Sequence, residues 1–237
     1  MGQRADRLFS HLMTAHARGL RASGGRGAGH AARAAGGADH ALALSFDALS
    51  FDAHVFACAI AAAAEDAACE GDTLAAHLGL APDGLETVIG RYFAPQMLAR
   101  LDVPVGRPPA NEEAQMLEDL LQSFAAPGDE AAGWLAAIIA RRALRPNHLW
   151  QDLGLRARSE LNRLLAAHFP SLATGNTANM KWKKYFYRQL CAQEGFVLCT
   201  APSCAACGDF EACFGEESGE SRLARVRRAN ETALQTA

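Results

Sequence analysis

Residues 73–95 read TLAAHLGLAPDGLETVIGRYFAP, and residues 148–170 read HLWQDLGLRARSELNRLLAAHFP. The two stretches are one pattern written twice. LGL at 78–80 falls on LGL at 153–155, Leu85 on Leu161, Val88 and Ile89 on Leu164 and Leu165, and Phe93 on Phe169, with a one-residue slip between the two helices. In each copy an apolar periodicity of three to four residues breaks at a glycine and then resumes, which reads as helix, tight turn, helix. The segments ahead of them match as well: residues 52–69, with Val55, Phe56 and Ile60 among alanines, and residues 129–144, with Trp134 and Ile138, each read as a helix buried along one face. The fold expected is all-α, a helical body of two related three-helix units about a pseudo-twofold. A further helix at 112–124 lies between them, with Met116, Leu117, Leu120, Leu121 and Phe124 on its inner face. Two copies are too few for a solenoid.

Helix, glycine turn, helix also describes a DNA-binding unit. The candidate recognition helix of the first copy carries only Arg91 as a base, and the second carries Arg156, Arg158 and Arg163 with no signal for a partner dimer. A plain αα-hairpin is the better reading, and nucleic acid is not an expected partner. The net charge of −3 over 237 residues gives no general argument for nucleic acid or membrane. No apolar run approaches the roughly 20 residues of a membrane span. With no export signal and several cysteines expected to be reduced, the compartment expected is the cytoplasm. Three regions follow: a flexible Arg-, Gly- and Ala-rich arm at 1–41, the helical domain at 42–215, and a polar and basic tail at 216–237. Within the arm, Leu8, Phe9, Leu12 and Met13 hint at one short amphipathic turn.

Chemistry concentrates near the other end. Cys199 to Cys213 reads CTAPSCAACGDFEAC and places Cys199, Cys204, Cys207 and Cys213 at the spacing C-x4-C-x2-C-x5-C. Four thiolates in one loop suit zinc, an iron-sulfur cluster, or two disulfides. An odd total of seven cysteines argues against disulfides. Structural zinc sites usually pair two short knuckles across a longer stretch, whereas here all four donors share one short loop. Compact runs of this kind favour an iron-sulfur cluster, although the fourth cysteine follows too soon for a plant-type ferredoxin. Cys58, Cys69 and Cys191 lie in helical patterns and read as core thiols.

The helix expected at 179–193 runs directly into this loop. Trp182, Phe186 and Leu190 form its packing stripe, and Lys181, Lys183, Lys184 and Arg188 keep the other faces basic. A solvated face explains such lysines, but beside a metal loop they also supply positive potential for an oxyanion. His148 and His168 are candidate extra metal ligands, set against the reading in which each is a satisfied structural histidine; His168 aligns with Tyr92.

From Asn179 to Cys213 the chain reads NMKWKKYFYRQLCAQEGFVLCTAPSCAACGDFEAC, and with NHLWQDLGL at 147–155 and HFP at 168–170 it closely resembles the NifQ family over roughly residues 51–215. The four-cysteine pattern of that family carries over without a gap. The resemblance implies a nitrogen-fixation protein, a cytoplasmic carrier and not an enzyme, that supplies molybdenum for the iron-molybdenum cofactor of nitrogenase. It implies a molybdenum-iron-sulfur cluster on Cys199, Cys204, Cys207 and Cys213. Partners implied are molybdate or another molybdenum donor, the NifEN scaffold and NifH. Four thiolates would fill every iron site of a cubane, so a molybdenum corner needs histidine, oxygen, solvent or the release of one cysteine. Two readings from other classes use the same residues: a ferredoxin-like electron carrier, and a zinc-stabilised helix-turn-helix-like DNA-binding protein.

Overall fold

The structure is a computed structural model that describes residues 2–24 and 38–193. Its helices are α1 (Gly2–Gly24), α2 (Ala38–Glu70), α3 (Leu74–Leu78), α4 (Pro82–Tyr92), α5 (Glu112–Ser123), α6 (Glu130–Ala143), α7 (Leu149–Asp152), α8 (Arg158–His168), α9 (Pro170–Gly175) and α10 (Trp182–Gln193), with a 3-10 turn at Pro95–Arg100. The described residues contain no strand. The succession α2–α3–α4 is matched by α6–α7–α8, with α5 between them.

Local chemistry sets the boundaries. Thr73, Asn111 and Asp129 sit in extended backbone ahead of α3, α5 and α6, and each side chain accepts a hydrogen bond from an amide of the first turn that has no helical partner. Proline opens α4 and α9, where its fixed φ suits the first turn and its missing N–H costs nothing. Gly79, at φ +86°, closes α3 by donating its N–H to the Ala75 carbonyl.

The two LGL turns are used in equivalent ways. A Cβ at Gly79 would stand 2.7 Å from the Ala137 carbonyl oxygen and 2.8 Å from Cβ of Arg141, both on α6. A Cβ at Gly154 would stand 2.8 Å from the Cys58 carbonyl oxygen and 3.1 Å from Cβ of Ala62, both on α2. Each turn therefore presses its glycine against the leading helix of the other unit, at a carbonyl and the side chain one turn later. The small residues at 57, 59 and 61–64 of α2 permit this approach, and the larger Phe56, Ile60, Leu74, Leu85, Leu117, Leu161 and Phe169 fill the shared core around it.

Four features depart from the sequence reading. The N-terminal stretch expected as a flexible arm holds α1, which lies along α2. Ala5, Leu8, Leu12 and His16 form its buried stripe, and the His16 ring nitrogen Nδ1 lies 2.6 Å from the Tyr92 carbonyl oxygen. Counting only large apolar side chains hides this stripe, because alanine and histidine occupy two of its four positions. Residues 38–41 open α2, while 25–37 and 216–237 lie outside the described residues. Met116, expected inside, is exposed: at 100° per residue it stands more than a quarter-turn from the buried Leu117 and Leu121, at the margin of the stripe, with only Leu120, four positions on, near it in projection. Cys69, expected in the core, is exposed in the last turn of α2, and Cys191 is half-buried.

Candidate metal centre and its platform

Cys199, Cys204, Cys207 and Cys213 lie outside the described residues. What the structure describes is the platform from which they are reached. Cys199 follows Gln193, the last residue of α10, by six positions. The base of α10 is fixed on three sides. Phe186 is fully buried, Trp182 donates from Nε1 to the side chain of Asn162 at 2.7 Å, and the Tyr187 hydroxyl donates to Glu113 at the start of α5. Arg158 of α8 reaches the carbonyls of Asn179 and Met180 at 3.2 and 2.9 Å, holding the entry to the helix.

The fourth anchor is ionic. Lys183 donates to Oδ2 of Asp152 at 2.6 Å and to the Arg145 carbonyl. Asp152 is fully buried, and its other oxygen accepts from Asn147 at 2.9 Å. Arg142, fully buried, donates through Nε to the Asp152 carbonyl at 2.5 Å, and through Nη1 to Asp66 at 2.7 Å and to the His77 carbonyl at 3.4 Å. His77 and Asp152 occupy equivalent places in the two repeats. One guanidinium thus meets the C-terminal ends of both α3 and α7, where orphan carbonyls favour a cation. Arg145 extends the network to Glu70 at 2.8 Å. Burial pushes the Arg142 guanidinium down to about 10, which leaves it charged at neutral pH. Burial also pulls the Lys183 ammonium below its ordinary value, with Asp152 opposing. Of the four cations expected to attract an oxyanion, Lys183 is therefore turned inward and neutralised by a buried carboxylate. Lys184 and Arg188 are exposed, and Lys181 is half-buried.

The structure places His148 at the cap of α7, half-buried, its backbone N–H 3.3 Å from Oε1 of Gln151. His168 ends α8 at the far end of the same unit. Its Nδ1 lies 2.6 Å from Oδ2 of Asp129 and its Nε2 lies 3.1 Å from Oδ1 of Asp52, so both ring nitrogens are engaged by carboxylates. Cys58 is also occupied structurally: burial, reinforced by Glu160, pushes its thiol up to about 12, and His54 lies 3.7 Å from its sulfur. Among the described residues no group of three or more His, Cys, Asp or Glu has the arrangement of a metal site.

Sequence reasoning passed over Asp52, Asp129, Asp152 and Arg142. A signal exists for three of them: Asp52 and Asp129 open the two matching helical stretches, and Arg142, like its partner Asp66, is a charge set within an otherwise apolar face. A charge in such a place needs a partner, which the sequence does not name.

A family model described as NifQ matches residues 55–215. The chain belongs to the NifQ family. The match begins within α2, so α1 precedes it and all four clustered cysteines fall inside it. The chain is 54% identical over 145 residues to the protein NifQ homolog of Sinorhizobium fredii (strain NBRC 101917 / NGR234), covering 60% of this chain and 63% of that protein. It is 42% identical over 144 residues to protein NifQ of Rhodobacter capsulatus, covering 61% of this chain and 79% of that one. To protein NifQ of Azotobacter vinelandii it is 37% identical over 158 residues, covering 61% and 80%. No solved structure matches the chain. No helix among the described residues of this NifQ-family chain is long and apolar enough to cross a membrane.

Proposed function

We propose that this NifQ-family chain is a metallocluster carrier that holds a molybdenum-iron-sulfur cluster on Cys199, Cys204, Cys207 and Cys213. In this reading it supplies molybdenum for the iron-molybdenum cofactor of nitrogenase, and so acts in nitrogen fixation. The observation that carries the reading is the NifQ match, which encloses all four cysteines at their compact spacing. The donor set fits the cargo, since thiolates are soft ligands suited to iron-sulfur clusters. The chain's own contribution is mechanical and electrostatic. Asp152, Arg142 and the aromatic stripe hold the base of α10, and exposed Lys184 and Arg188 leave positive potential on the helix that leads to the thiolates.

Handing a cluster on is transport, not turnover, and the reading assigns no acid or base to the cysteine segment. The acceptors in this proposal are the NifEN scaffold and NifH, and the compartment is the cytoplasm. Anaerobic purification of the full chain followed by elemental analysis tests it. Iron and molybdenum are expected together in the parent, with both falling far more in Cys204→Ala than in Cys58→Ala. Iron without molybdenum would instead indicate an electron carrier, and zinc alone would favour a structural metal site.

A further inference from the structure

α1 and the Pro95–Arg100 turn enclose a cleft of about 620 Å³ between them. His11, Thr14 and Arg18 supply one wall, spaced three and four residues apart on one face of α1; Gln96 and Arg100 supply the other, and the buried Phe93 lies at the base. Among the described residues no carboxylate lines this cleft. A smaller cavity of about 180 Å³ shares His11 and Arg100 and adds Arg4 and Arg7, with Asp102 as its one acidic residue among those described.

Several arginines elsewhere are tied to carboxylates. Arg142 is paired with Asp66, Arg145 with Glu70, Arg91 with Glu130 and Arg163 with Asp47. Arg18 and Arg100 face a concavity and make no salt bridge among the described residues. Two guanidiniums, a hydroxyl, a side-chain amide and an imidazole can all donate here, and among the described residues no carboxylate lines the cleft to neutralise the guanidiniums. Guanidinium forks pair with two oxygens of an oxyanion at once.

We propose that this cleft binds a doubly charged tetrahedral oxyanion. The site is separate from the cysteine segment and does not depend on the carrier reading. Its volume lies in the range of about 300–1,000 Å³ typical of small-molecule sites. It is also many times the roughly 30 Å³ share of one water. A bare ion therefore enters with part of its hydration shell, and binding is modest in affinity and rapid in exchange. Attraction through partly solvated guanidiniums weakens with added salt.

Equilibrium dialysis of the full chain at low ionic strength, with inorganic phosphate and with molybdate as separate probes, tests the site. The expected result is that both ions bind and displace one another, and that Arg18→Gln combined with Arg100→Gln weakens both by at least tenfold. Thr14→Glu, which sets a carboxylate on an exposed position of the same wall, should abolish binding while the helical circular-dichroism signal persists. Arg163→Gln, which removes a guanidinium already paired with Asp47, should bind both ions as the parent does. Failure of the parent to bind either ion overturns the proposal. So does parent-like binding by the double arginine variant, or an equal loss in Arg163→Gln.

Discussion

His168 stands between two carboxylates that belong to different helical units, Asp52 of α2 and the Asp129 cap of α6. Burial works against a positive ring there, yet the hydrogen bonds and charges of Asp52 and then Asp129 outweigh it, and the net effect raises the ring above its ordinary value. A histidine held more tightly protonated in the folded chain contributes stability that is fully present below the unfolded value of about 6.5, and that is lost as pH rises through the raised native value. Urea midpoints of the parent should therefore fall as pH is raised from about 6 through that window. The same series in His168→Gln should lack this component; identical pH profiles for the two chains would contradict the assignment. Tyr92, the counterpart of His168 in the first repeat, also points its hydroxyl at Asp52, at 3.5 Å. The sequence alone made His168 legible as a candidate ligand because imidazole suits metals. The two aspartates that engage it lie 116 and 39 positions away, and no local pattern joins them to it.

At the scale of elements, the paired LGL turns were the most legible feature of the chain, because glycine interrupts the helical period at the same place twice. The reason for the glycines was not legible. A turn needs glycine for its positive φ, but the close approach to a helix of the other unit is a tertiary fact. Gly154→Ala adds a Cβ at φ +73° and 2.8 Å from a backbone oxygen. That combines a left-handed penalty of about 1–2 kcal/mol with overpacking of about 1–3 kcal/mol. Gly133, inside α6 and exposed, has open space where its Cβ would stand. Gly133→Ala should raise stability by about 0.5–1 kcal/mol. Chemical denaturation of both variants checks the contrast, and a neutral Gly154→Ala would mean that the turn does not seat on α2. On α5, Met116 shows the opposite limit of periodicity: one apolar residue at the margin of a stripe is not placed by sequence, and here it falls on the solvent side.

Across the whole molecule, α1 decides where the cooperative unit ends. It lies ahead of the NifQ match, yet Leu12 is completely buried in the common core. If α1 unfolds together with the rest, Leu12→Ala should cost about 2–5 kcal/mol in the global urea transition. A variant that frays α1 by circular dichroism but leaves the main midpoint unmoved would show α1 to be a separately melting layer. The buried cation Arg142 argues for tight coupling within the remainder, because it touches α2, both short helices and, through Asp152, the base of α10. Removing one member of such a set strands the other charges in the interior.

The seating of Gly154 on the carbonyl of Cys58 also sets an order of events during synthesis. The face of α2 that receives the second turn leaves the ribosome roughly 100 residues before that turn does, a wait of about 5–20 s at ordinary elongation rates. Throughout that interval the strip of α2 around Cys58 and Ala62 lacks the turn that covers it in the folded chain. The thiols of Cys199 to Cys213 emerge later still, after every helix among the described residues has been made, so a polysome can complete those helices before it displays a single clustered sulfur.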